Sequence, residues 1–219
     1  ESRYLIAAAA EAPEAVIKVF TTIAETENPT IHHDLVSAAM RMPIKHAARL
    51  AAVEMQWIRK QEQLMLHLPY ETGPLIVRMA AEGAGDQAVT MTRALLGVRP
   101  DPSPPEPSDE LFARHPEPRV LMDGWEYGEL LDRVIVPLVT AAPIATVKML
   151  VSLLRDHFEL SKWHAEQDDD GSNAWRARLD QPADKTEVRD LLAFAVQDAA
   201  TRAVAAEAIP LGDAVILLR

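Results

Sequence analysis

Cysteine is absent from all 219 residues, which removes disulfides, thiolate metal sites and thiol nucleophiles together and fits a reducing compartment. Glycine is scarce, with 8 residues, and aromatic side chains make up 5% of the chain. Ala, Leu, Val, Met, Arg and Glu fill the long periodic stretches instead, a composition that favours helix over strand. No apolar run reaches the roughly 18 residues that span a bilayer. The first residues also lack a basic segment followed by an apolar signal core. Positive charge is in deficit: 22 Lys and Arg face 33 Asp and Glu, a formal net charge of -11. Such a chain repels a phosphate backbone, so nucleic acid is disfavoured as a partner; the lack of a long apolar run disfavours a membrane, and the lack of cysteine makes a cytoplasmic location the expected one. Gly83-Ala84-Gly85 lacks the third glycine and the preceding strand of a phosphate loop, and fits a turn between helices.

What is present is a repeated pattern. Ala12-Pro13-x-Ala15-x-Ile17-Lys18-Val19-Phe20-x-x-Ile23 recurs 130 positions later as Ala142-Pro143-x-Ala145-x-Val147-Lys148-Met149-Leu150-x-x-Leu153. Each proline follows one apolar helical run and opens another, a place that suits its preset φ and missing N–H. Apolar spacing predicts helices over 3–11, 13–25, 30–42, 43–59, 61–68, 73–83 and 85–97, then 125–141, 143–163 and 184–208, with a last element near Leu211. Pro13, Pro43 and Pro74 are 30 and 31 residues apart, and each is expected to start the second helix of a pair. In the Asn28-Pro29-Thr30 turn the Thr30 hydroxyl is expected to cap the following helix. Pro137 is expected to kink or divide its helix.

The chain therefore divides into a helical block at 1–98, a loop or linker at 99–123, and a second helical block at 124–219. The linker holds seven prolines among Asp, Glu and Ser, which forbid a continuous helix. With 48% hydrophobic residues the chain can bury a sizeable core. It begins at Glu1 rather than Met and ends in the apolar run Asp213–Arg219. The second block is accordingly expected to continue the first and to be truncated at its C-terminal end, as a segment of a larger protein. Sixteen Arg against six Lys, with heavy Ala usage, suggest a bacterial source.

Helix pairs of this length with a proline opening the second helix resemble the HEAT and armadillo class of α-solenoids, on Ala12-Pro13, Met42-Pro43 and Ala142-Pro143 and the apolar positions that follow. Asp34 and Asp132 are the nearest counterparts of the Asp in a HEAT ladder. The resemblance implies an all-α fold of antiparallel helix pairs stacked as an α-α superhelix, offering a curved surface to a protein partner or a neighbouring domain of the same polypeptide. The expected function is that of a non-catalytic scaffold or interaction segment, needing no cofactor.

Four local clusters are weighed against that reading. His33-Asp34, preceded by His32, is the dipeptide at the heart of helical HD-type metal phosphohydrolases, where adjacent His and Asp hold a metal that activates water. No upstream His exists to complete such a site, and the plain alternative is a polar first helical turn with Asp34 favouring the helix dipole. Glu166-x-Asp168-x-Asp170-Gly171 resembles the first half of a calcium loop, but Ala177 stands where the bidentate Glu belongs, so a solvated acidic turn over 168–170 is expected. Glu54 and Glu62 flank Trp57 without any cleft to face across. Trp175 with Arg176 and Arg178 has the composition of a binding hot spot, beside the plain reading of a Trp packed at a helix start. An enzyme is not expected. The alternatives are a metal-dependent HD-like hydrolase on His32, His33 and Asp34, and a sensor that takes an apolar small molecule between the two blocks.

Overall fold

The computed structural model describes residues 2–24, 26, 28–58, 68–98, 121–122, 124–167 and 185–195. Among them every regular element is helical: α1 (Ser2–Ala8), α2 (Pro13–Thr22), α3 (Pro29–Ala39), α4 (Ile44–Ile58), α5 (Leu68–Ala81), α6 (Gly85–Leu96), α7 (Gly124–Ala141), α8 (Pro143–Gln167) and α9 (Lys185–Ala195). The expected 61–68 helix lies outside the described residues apart from Leu68, as do the second half of the 184–208 helix and the element near Leu211.

Local chemistry explains most of the boundaries. Pro13, Pro29 and Pro143 sit at the first helical position of α2, α3 and α8, where the missing N–H removes no helical bond. At α3 the cap is Asn28, not Thr30: the Asn28 Oδ1 accepts the Thr30 backbone N–H at 3.0 Å. A short amide side chain just before the proline reaches the second helical N–H, whereas Thr30 is already inside the helix. Pro137 does not divide α7, which runs unbroken to Ala141. Pro74 departs from expectation as well. It lies inside α5, which starts at Leu68 and forms the first helix of its pair, so the second helix of that pair opens at Gly85. A Cβ on Gly85 would lie 3.1 Å from the Ala141 Cβ and 3.2 Å from the Ala142 Cβ. Glycine here lets α6 start hard against the junction of α7 and α8.

The helices pair in chain order, α1 with α2, α3 with α4, α5 with α6 and α7 with α8. Connections as short as the single residue Ala142 reverse the chain within each pair. Beyond the pairs, odd helices touch odd ones (α1 with α3, α3 with α5, α5 with α7) and even helices touch even ones (α2 with α4, α4 with α6, α6 with α8). The α9 helix packs on α8. A single hydrophobic cluster runs through both blocks, from Phe20, Leu50 and Trp57 to Leu75, Tyr127, Leu138 and Leu150.

Polar fasteners hold the pairs in register. Arg78 of α5 spends its whole guanidinium fork on its neighbours. Its Nη1 donates to the carbonyls of Ala39 at 3.1 Å and Met40 at 2.8 Å, and its Nη2 to the carbonyl of Met42 at 2.8 Å. Nε and Nη2 also grip Glu82 at 2.8 and 3.1 Å. The Ala39 carbonyl at the end of α3 also accepts the Met42 N–H at 3.2 Å, and Arg78 adds charged donors from the next pair to it and to the Met40 and Met42 carbonyls of the turn. In the even row, Arg93 of α6 meets Asp156 of α8 at 2.6 Å, and the same carboxylate accepts the Val98 N–H at 3.2 Å.

Arg78→Ala is expected to lower unfolding stability by about 2 kcal/mol, because three carbonyls in the turn after α3 lose charged donors. Arg78→Lys should recover less than half of the loss, since an ammonium lacks the fork. Urea unfolding of the two variants checks this, and equal recovery by Lys would refute the fork.

Candidate functional site

The charged residues that enter the apolar faces decide what chemistry the interior can do. His32 continues the buried stripe Leu35, Val36 and Ala39 of α3, and Glu54 interrupts the stripe Leu50, Trp57 and Ile58 of α4. Packing α3 on α4 brings the two together, both fully buried, with His32 Nδ1 2.7 Å from Glu54 Oε1. His32 Nε2 lies 2.7 Å from the Thr26 carbonyl oxygen, and a carbonyl can only accept, so Nε2 carries a proton. One further proton therefore sits in the Nδ1–Oε1 bond, whether the pair is written as imidazolium and carboxylate or as imidazole and carboxylic acid. The ring stands edge-on to Trp57 at a centroid distance of 5.5 Å, and Phe20 packs on the same indole at 6.5 Å. Glu54 Oε2 has no hydrogen-bond partner among the described residues.

Burial pushes the Glu54 carboxyl above its ordinary range against the pull of His32. Burial alone would lower the His32 pKa, but the Glu54 hydrogen bond and charge, with the Thr26 carbonyl, carry it above the ordinary value. Both directions mean that the folded pair holds its shared proton more tightly than the unfolded chain does.

His33 turns the other way, toward α5. Its Nδ1 lies 2.9 Å from Glu71 Oε1, with the imidazole half exposed. Asp34 is buried and its Oδ2 has no hydrogen-bond partner among the described residues. Of the three residues expected in a polar first turn, His32 and Asp34 are buried and His33 is exposed, and no acidic residue falls in the first turn of α3. His32 and His33 engage carboxylates of different helices, and among the described residues no three His, Cys, Asp or Glu side chains converge to hold a metal ion. Asp132 is exposed on α7. Glu54 is half of the core pair with His32, while Glu62 lies outside the described residues, as do Trp175, Arg176, Arg178 and the acidic stretch 168–170.

Open grooves lie on the surface of the described residues. One, of about 450 Å³, lies between the blocks where the α5–α6 turn meets the α7–α8 junction. It is lined by Gly83, Asp86, Gln87 and Ala141 to Ala145, with more polar than apolar surface. Another, of about 520 Å³, crosses the odd row and is walled by Ile6, Val36, Met40, Tyr70 and Pro74, with the His33–Glu71 pair at its edge. Beside it, the Tyr70 ring meets Trp125 of α7 at 5.9 Å, and the Arg133 guanidinium lies 5.8 Å from the centre of the Tyr70 ring. Gly73 makes the path of Arg133 possible, because a Cβ there would lie 2.9 Å from the Arg133 Cδ. Trp125 is 62% exposed and Tyr70 40%.

Sequence reasoning missed Tyr70, Trp125 and Arg133. Tyr70 lies 55 positions before Trp125 and 63 before Arg133, across the proline-rich linker, and no local pattern announces their contact. Glu54 was findable, since a carboxylate one turn from Leu50, Trp57 and Ile58 in an apolar stripe demands a buried partner. The chain matches no protein-family model, no curated protein and no solved structure. Among the described residues no helix is long and apolar enough to cross a membrane.

The tighter hold on the shared proton fixes the sign of a pH effect. The pair's contribution to stability is complete below the ordinary histidine value of 6.5 and falls as pH rises through the folded value, by up to about 1.4 kcal/mol per pH unit. Glu54→Gln can donate an amide N–H to a neutral Nδ1, so the variant should lose this slope. Glu54→Ala leaves a buried imidazole without its partner and should cost about 3 kcal/mol. Chemical unfolding of wild type and Glu54→Gln between pH 6 and 9 decides the matter. Parallel curves for the two proteins would exclude the shared proton.

Proposed function

We propose that this chain is a non-catalytic helical-repeat scaffold, a HEAT-like α-α superhelix whose odd helices form a face for a protein partner. The observation that supports this most is the contact pattern, odd helix with odd and even with even, which is how stacked helix pairs bury a continuous core. The buried polar groups support it too. His32 and Glu54 are spent on each other between α3 and α4, and the Arg78 fork on the α3–α4 turn, rather than on an accessible cleft. Exposed aromatic surface lies instead on the odd row, where Tyr70 and Trp125 meet. Trp, Tyr and Arg in one exposed cluster are the residue types that dominate binding hot spots.

A superhelix is longer than a globule of equal mass. Small-angle scattering should give a radius of gyration clearly above the roughly 17 Å of a compact 219-residue domain. A photo-crosslinker placed at Tyr70 should capture protein partners that the same group at Lys18 on the even row does not. No capture from the odd row, or a stoichiometric transition metal lost in a His33→Ala variant, would overturn the scaffold reading.

A further inference from the structure

One face of α7 is left with two kinds of unfinished business. Trp125, Glu129, Asp132 and Val136 follow one another at spacings of four, three and four, which places them on a single stripe of the helix. All four are exposed, Trp125 at 62% and Val136 at 54%. Two apolar anchors three turns apart therefore bracket two carboxylates. Neither Glu129 nor Asp132 has an ion pair among the described residues. Arg133, next to Asp132 in the chain, is directed over the Tyr70 ring. The Trp125 indole meets that same ring at 5.9 Å, a contact that already restricts it before anything covers it.

We propose that this stripe of α7 docks a basic amphipathic helix of a partner protein, with apolar side chains seated on Trp125 and Val136 and Lys or Arg facing Glu129 and Asp132. The proposal rests on the scaffold reading and names the partner for one part of its odd face. Charge decides between occupants. The chain as a whole carries -11, which steers cations toward it and turns away phosphate and anionic lipid. A second copy of the chain is disfavoured for the same reason, because a two-fold contact over this stripe would set Glu129 and Asp132 against their own copies. Apolar anchors repeated at helical spacing match the way an amphipathic helix reads a surface.

The test uses the full chain and a fluorescein-labelled 18-residue peptide with Leu on one helical face and Lys on the rest, followed by anisotropy. A matched peptide with Glu in place of every Lys is the control. The expected result is binding of the Lys peptide alone, weakened by added salt. Trp125→Ala should weaken it about thirtyfold, as loss of a hot-spot anchor does. The double variant Glu129→Lys with Asp132→Lys should abolish the preference for the Lys peptide over the Glu peptide. These side chains are exposed, and unchanged circular dichroism and unfolding midpoints would show that the variants remain folded. Three results would overturn the proposal. The Glu peptide binds as tightly, binding of the Lys peptide survives both variants, or sedimentation shows a dimer that Trp125→Ala splits. If any of these occurs while crosslinks at Tyr70 still capture a partner, the scaffold reading stands and only the nature of its partner changes.

Discussion

Each inner helix has an apolar face too wide for one neighbour to cover, and the arrangement of the others follows from that constraint. On α4, Ala47, Leu50, Ala51, Met55, Trp57 and Ile58 are all buried, together with His46 and Glu54. A single partner helix covers only a stripe, so α4 touches α2, α3, α5 and α6. The same demand on α6 and α5 produces two rows in contact along their length. Closely spaced backbones are part of the solution, which is why alanines recur in the core and why Gly85 faces Ala141 and Ala142.

Once helices are packed on several sides, any polar side chain on those sides needs a partner within the rows. His32 and Glu54 answer that need for each other, and the orientation is set by the Thr26 carbonyl, which leaves one shared proton in the bond. Arg78 answers it for the end of α3. These groups tie neighbouring helices at chosen points, while the apolar contacts alone would tolerate sliding along the helix axes. The consequence is a division between inside and outside: polar groups inside serve register, while aromatic and acidic groups on α5 and α7 stay exposed.

The helices themselves were largely legible. Proline at a helix start is a local effect, and Pro13, Pro29 and Pro143 open α2, α3 and α8 as backbone chemistry requires. Pro74 follows the opposite course because α5 gains enough from packing on α3, α6 and α7 to accept a missing N–H inside it. That gain is invisible in the spacing of prolines, and it shifts the second helix of the third pair to Gly85. The candidate site was less legible. His32 and Glu54 both break apolar stripes and so signal burial, but that they meet each other depends on how α3 lies across α4. Tyr70 and Trp125 carry no signal at all until α5 and α7 are side by side.

What the sequence by itself determined is the helical class, the pairing of successive helices and the acidic balance, because each arises from local backbone geometry or from summed charge. Only the tertiary structure decided that α5 begins at Leu68, that His32 is sealed in the core while His33 beside it is half exposed, and that Trp125 faces outward. Those outcomes depend on which helix covers which face. Coverage is a property of the assembled rows, and no window of the chain contains it.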